Sequence, residues 1–137
     1  MKYELTVTPR KGYLHVRVTG PNGTATIRQY FADTVAACLR EGCPNVLIEE
    51  YLQGERISIA DVFEVVSDNV DLIRSAIRLV AFVDVNPHRS DTNLKFGETV
   101  AVNRGLAARV FGDVAEAEGW LTAEILAGPK GPVNPDD

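Results

Sequence analysis

Apolar and polar residues alternate along the start of the chain. In residues 2–8 the side chains of Tyr3, Leu5 and Val7 fall on one side, and in residues 13–18 Leu14, Val16 and Val18 do the same. A two-residue period places alternate side chains on opposite faces of a strand, so two strands are predicted. Pro9-Arg10-Lys11-Gly12 between them has turn chemistry and predicts an antiparallel hairpin. After Gly20-Pro21-Asn22-Gly23 the period changes. Ile27, Phe31, Val35 and Leu39 recur at every fourth position and predict a helix over 24–41, stopped by Gly42 and Pro44.

Val46-Leu47-Ile48 is a short apolar run followed by acids, the pattern of a buried central strand. Residues 51–57 are polar, contain Gly54 and predict a loop. From Ser58, a helical period through Ile59, Val62, Phe63, Val66, Val70, Ile73 and Ile77 persists for almost twenty residues, with a point of division at Ser67-Asp68-Asn69, whose side chains favour caps and turns. A second buried strand is predicted over 79–83, a loop over 86–93, a helix over 94–104 stopped by Gly105, and a last strand over 108–111. Asp113 and Glu116 then resemble a capping box, opening a helix with Ala117, Leu121 and Ile125 as its stripe and Trp120 beside it. The resulting order, ββαβαβαβα, predicts an α/β fold: a mostly parallel mixed sheet of about five strands with an antiparallel edge and right-handed crossovers. A single domain over 1–126 is expected, with a disordered Gly/Pro-rich tail over 127–137.

Composition fits this reading. The chain has 137 residues, 45% of them hydrophobic, and a chain of that length buries roughly 70% of its unfolded surface, enough for a core without staples. No stretch approaches the roughly 20 apolar residues of a membrane span, and the first residues alternate where a signal peptide would be apolar. The expectation is a cytoplasmic protein with no transmembrane segment. The net charge of −5 repels phosphate polyanions and argues against nucleic-acid binding. Charge is unevenly placed, +3 over residues 1–45 and −8 over the remainder, but a basic patch of Arg10, Lys11 and Arg17 without interleaved aromatics is a weak ligand signal. Cys38 and Cys43 lack redox or zinc spacing. Two reduced thiols are expected, Cys38 on the core face of its helix, with a local disulfide as the alternative.

Catalytic chemistry is sparse. His15 lies opposite Leu14 and Val16 in its strand, and His88 lies in the loop after the fourth strand; neither has a companion at ligand spacing. Asp84, Asn86, His88, Arg89 and Asp91 form a polar set near the carboxyl end of a strand, where α/β proteins bind ligands. Glu49 and Glu50 are adjacent in a strand and so point to opposite faces, which argues against an acid–base dyad between them. No nucleophile elbow, P-loop or dinucleotide fingerprint is present. No catalytic residue, metal or cofactor is assigned, and an enzyme is not expected. Ser58 stands where a loop enters a helix, three residues before Asp61: a helix cap, and a candidate phosphorylation site whose phosphate would meet the positive helix end. Asp61, Glu64 and Asp68 form an acidic stripe opposite Val62, Phe63 and Val66, either solvated or docking a basic partner. Tyr51 and Leu52 offer an exposed or half-buried apolar lip.

The element order together with V-F-G-D-V-A-E-A-E-G-W-L at 110–121 resembles the STAS superfamily, in particular its SpoIIAA-like, or STAS/SEC14-like, branch. Supporting phrases are V-R-V-T-G at 16–20, N-V-L-I at 45–48 and A-V-N-R-G-L at 101–106. The resemblance covers about residues 2–122. It implies a small non-catalytic domain that acts by binding, as in the anti-sigma factor antagonists switched by phosphorylation of a serine at the start of the helix after the third strand. Ser58 occupies that place, although Ile57-Ser58-Ile59-Ala60 departs from the acidic-serine-serine-glycine-like family signature. The branch commonly lacks the switch and is similar in shape to lipid-carrying folds. Two functions are therefore expected as alternatives. One is a regulatory module recognising a protein partner or a second copy as a homodimer, through Tyr51, Arg56, Asp61 and Glu64 around the loop 51–57. The other is a binder of a lipid or other small apolar ligand beside the helices of Phe31, Phe63 and Phe96.

Overall fold

The computed structural model describes residues 2–129. Strands β1 (Glu4–Pro9) and β2 (Leu14–Pro21) form the opening hairpin; then follow α1 (Thr24–Glu41), β3 (Asn45–Gln53), α2 (Ile59–Arg74), β4 (Leu79–Asp84), α3 (Asp91–Asn103), β5 (Ala107–Phe111) and α4 (Val114–Ala127). The strands lie side by side in chain order, β1 antiparallel to β2 and every other neighbouring pair parallel. The chain is thus α/β, with a five-stranded mixed sheet and four helices, as its alternation predicts. Residues 130–137 of the expected tail lie outside the described residues.

Several boundaries differ from the sequence reading. Residues 51–53, expected in a loop, continue β3, because Tyr51, Leu52 and Gln53 pair with Thr19, Gly20 and Pro21 of the long strand β2. Helix α2 is not divided at 67–69. There Ser67 Oγ donates to the Phe63 carbonyl at 2.5 Å and Asn69 Nδ2 to the Val65 carbonyl at 2.6 Å, so both side chains bond back along the helix instead of capping it. Helix α3 begins at Asp91 because Ser90 Oγ accepts the Asn93 amide at 3.2 Å, which shortens the expected loop. In α1 the buried face is Ile27, Tyr30, Thr34, Val35 and Cys38, while Leu39 is 65% exposed. A four-residue step overshoots a helical turn by about 40°, so a strict repeat of four drifts off the core within three steps. Phe63, expected on the inner face of α2, is 46% exposed; Val70 and Ile73 are buried as their period predicts, and Val65, outside that stripe, is buried with them.

The sheet buries both faces. Leu14, Val16, Val18, Val46, Ile48 and Val80 pack toward α1, α2 and α3, forming one core cluster. On the other face Leu47, Leu79, Ala81, Val83 and Phe111 meet Ala117 and Leu121 of α4. Helix α4 starts as its sequence indicates, with Asp113 Oδ1 accepting the Glu116 amide at 2.8 Å. Both cysteines are free, Cys38 buried and Cys43 half-buried.

Gly20 and Gly119 make opposite demands. A Cβ on Gly20 would stand 2.6 Å from Tyr3 Cβ and 3.0 Å from its Cα, so β1 can approach β2 only because this residue has no side chain. A Cβ on Gly119, inside α4, would meet nothing within 4 Å. Gly20→Ala is expected to destabilise the protein by about 1–3 kcal/mol, and Gly119→Ala to stabilise it by roughly 0.5–1 kcal/mol, both read from urea unfolding.

Candidate functional site

Strand β2 leads into α1, β3 into α2 and β4 into α3, so three helix starts gather at the carboxyl edge of the sheet on one face. Between that face and the three helices lies a cavity of about 540 Å³. Ile48, Leu52 and Phe82 of the sheet and Phe31, Val66 and Ile73 of the helices give it apolar walls. It follows α2 from Val62 to Ile73, about 16 Å at the helical rise. The sequence leaves this space open in two ways. Three of the positions lining it from α3 and β5 are small, Gly97, Ala101 and Ala108, alongside larger residues such as Leu94 and Val110. The bulky Phe63 turns outward, 6.5 Å from the Phe96 ring and with the Arg104 guanidinium 5.5 Å from its centroid.

Near the carboxyl edge the wall becomes polar. Glu50 and Asp84 are paired in the parallel register of β3 and β4, in phase with Ile48 and Phe82, so both carboxylates project toward the cavity. Their backbones are one strand spacing apart, about 4.8 Å. From α1, the buried Tyr30 hydroxyl donates to Glu50 Oε2. Glu50 is 8% exposed. Burial pushes its carboxyl up to about 7; the Tyr30 hydrogen bond opposes the shift and the Asp84 charge adds to it. The Tyr30 hydroxyl is held well above its ordinary value, by burial first and then by Glu50. Asp84 is raised by burial, against the Asn86 amide that donates to Oδ1 at 2.9 Å and the nearby Arg89 charge. Asn86 ties this corner together: its Nδ2 donates to the Leu52 carbonyl at 2.7 Å, and its Oδ1 accepts the His88 amide at 2.9 Å. At the rim, Arg56 Nη2 donates to the His88 carbonyl at 2.7 Å, and Arg89 lies 3.3 Å from Asp91. A carboxyl poised near 7 beside a phenol can accept or donate a hydrogen bond at neutral pH.

Ser58 caps α2, its Oγ accepting the Asp61 amide at 3.1 Å, and is exposed. Asp61 is half-buried in the first turn, Glu64 is exposed, and Asp68 pairs with Arg28 at 3.0 Å. Tyr51 is half-buried on the sheet face opposite Glu50, where its hydroxyl accepts from Gln53 at 3.3 Å. Of Tyr51, Arg56, Asp61 and Glu64, Arg56 lines the cavity and the other three do not. The polar set Asp84, Asn86, His88 and Arg89 does gather there, with Asp91 behind it. His15 is buried on the far face, 2.9 Å from Glu49, which also meets Arg17 at 3.3 Å.

Sequence reasoning missed Tyr30 and the Glu50–Asp84 pair. It separated Glu50 from Glu49 correctly, but the acid that Glu50 faces is across the ladder. The available signal was that two adjacent parallel strands, V-L-I-E-E and V-A-F-V-D, both end in acids. Among the described residues no three His, Cys, Asp or Glu side chains are placed to hold a metal ion, and no helix is long and apolar enough to cross a membrane. Compared with protein-family models and with curated proteins, the chain matches none.

The raised carboxyl of Glu50 has a stability consequence. The fold favours its protonated form, so its contribution is fully present below about pH 4.5 and is lost as pH rises through about 7. The difference between the two limits is about 3 kcal/mol. Glu50→Gln, which cannot ionise, is expected to melt close to the parent near pH 4 and roughly 5–10 °C above it near pH 8 in thermal unfolding.

Proposed function

We propose that this chain is a non-catalytic binding domain of SpoIIAA-like, STAS/SEC14-like type, which holds a small molecule with an apolar body in the cavity beneath α1, α2 and α3. The cavity is the observation that carries this reading. Water can occupy the polar rim, but the depth around Val70, Ile73 and Val80 lacks the two to four polar partners that hold a buried water. The volume also lies within the range of small-molecule sites, about 300–1,000 Å³, and the lining combines apolar walls with a few convergent polar groups.

Diphenylhexatriene, a neutral hydrocarbon fluorophore, provides the test. Saturable binding by the purified protein is expected, together with a co-purified small molecule in native mass spectra. Val66→Phe projects a ring into the same space and is expected to abolish dye binding while raising Tm. Failure of the parent to bind the dye, or a Val66→Phe protein destabilised by the roughly 1–3 kcal/mol of an overpacked core, overturns the reading.

The alternative, a regulatory module of anti-sigma-antagonist type that binds a protein partner or a second copy, draws support from the outer face of α2. Ile59 and Phe63 are 45% and 46% exposed one turn apart, next to Ser58. Dimerisation through that face would give a sedimentation coefficient that falls to the monomer value in Phe63→Glu; a parent that is already monomeric removes the homodimer.

A further inference from the structure

An apolar cavity needs no carboxylates to hold a hydrocarbon, yet three line this one, Glu50, Asp84 and Glu98, of which Glu98 is already held by Lys95 and the Val110 amide. Burying a charged group without a partner is costly, and native proteins pair such groups or bind ions to them. Glu50 and Asp84 are each half provided for. Glu50 Oε2 takes the Tyr30 hydroxyl and Asp84 Oδ1 takes the Asn86 amide, while Glu50 Oε1 and Asp84 Oδ2 accept no hydrogen bond from any described residue. Among the described residues neither carboxylate makes an ion pair; Arg89, the nearest cation to act on Asp84, is paired with Asp91. Glu50 is more than nine-tenths buried and lines the cavity. Neither oxygen is sealed off, since the buried side-chain atom without a partner among the described residues is Asn45 Oδ1; both are open to the cavity and to a donor on its occupant, and a cationic donor satisfies both charge and hydrogen bonding.

We infer that the occupant is an amphiphilic amine, its protonated nitrogen seated between Glu50 and Asp84 and its apolar body lying along α2. The inference rests on the cavity being a ligand site. An ammonium carries three donors, which can reach Glu50 Oε1, Asp84 Oδ2 and one further acceptor. The hydrocarbon then occupies the Val- and Ile-lined depth, and the rim of Asn86, His88 and Arg89 closes over the head. Recognition is pH-dependent. Alkyl ammonium groups resemble lysine and stay charged to about pH 10, whereas the Glu50 carboxyl gains its charge around neutrality. The groups that face it are Tyr30 from α1 and Asp84 from β4. Beyond them stand Arg89, Asp91, Arg56 and His88 at the rim, and Glu98 of α3, which is held by Lys95 and the Val110 amide. Helix α2 lines the cavity with Val and Ile alone, and Val18 of β2 stands beside Glu50.

Decylamine, decanol and decanoate, equal in chain and different in head, are competed against bound diphenylhexatriene. At about pH 8 decylamine is expected to displace the dye at a concentration about tenfold or more below that of decanol, the worth of a charge-assisted hydrogen bond, with decanoate weakest. The amine-to-alcohol preference should shrink toward about pH 5, and Glu50→Gln and Asp84→Asn should each reduce it severalfold at pH 8. Loss of the pH dependence in Glu50→Gln assigns it to the carboxyl. Decanol or decanoate equalling decylamine in the parent, or a preference unchanged in both variants, overturns the amine head and leaves the cavity reading standing. No displacement by any of the three, or no dye binding at all, overturns the cavity reading and the inference with it.

Discussion

The parallel register of β3 on β4 is the constraint from which the site follows. It sets Val46 beside Val80, Ile48 beside Phe82 and Glu50 beside Asp84. Side chains alternate along a strand, so slipping β4 by one residue would bring Val83 onto the cavity face and turn Asp84 toward α4. Register is held firmly because both faces are buried: Val83 and Ala81 are fully enclosed under α4, and Val80 is enclosed under α2. The two carboxylates are therefore neighbours by the same hydrophobic pattern that forms the core, and no loop has to position either of them.

The three helices over that face are packed closely in some places and kept apart in others. Gly97 lets α3 approach α2, since a Cβ there would lie 3.3 Å from Val62 Cγ1. Yet the small and β-branched side chains that permit this approach cannot fill the volume toward the sheet, and Phe63 spends its bulk on the outer surface against Phe96 and Arg104. Placed inward, a phenylalanine would close much of the gap. The cavity is thus written into residue size on α2, α3 and β5.

Alternation and caps made most of the fold legible. The run of elements, the hairpin, the α1 span and the Ser58 and Asp113 caps all follow from local pattern and backbone hydrogen-bond needs. Less legible was anything settled between elements. Residues 51–53 read as loop because their polarity resembles one, and only pairing to β2 makes them strand. Leu39 and Phe63 read as core because periodicity reports a stripe without its angular limits, which neighbouring helices decide. The polar rim at 84–91 was visible as a local cluster near a strand end. Tyr30 was not, since a tyrosine on an apolar helix face looks like packing until the carboxylate beneath it is known.

Electrostatics at the carboxyl edge shows which effect dominates. Three helix starts converge there, and a helix N-terminus favours a nearby carboxylate by about 0.3–1 kcal/mol where exposed. The Tyr30 hydroxyl likewise favours an ionised Glu50, and the Asn86 amide and Arg89 an ionised Asp84. Both carboxyls are nevertheless raised, with burial the largest cause in each. For Glu50 the shift to about 7 corresponds to about 3 kcal/mol, more than one helix end can return. Loss of water therefore outweighs the favourable groups that touch each carboxyl, Tyr30 at Glu50 and the Asn86 amide and Arg89 at Asp84.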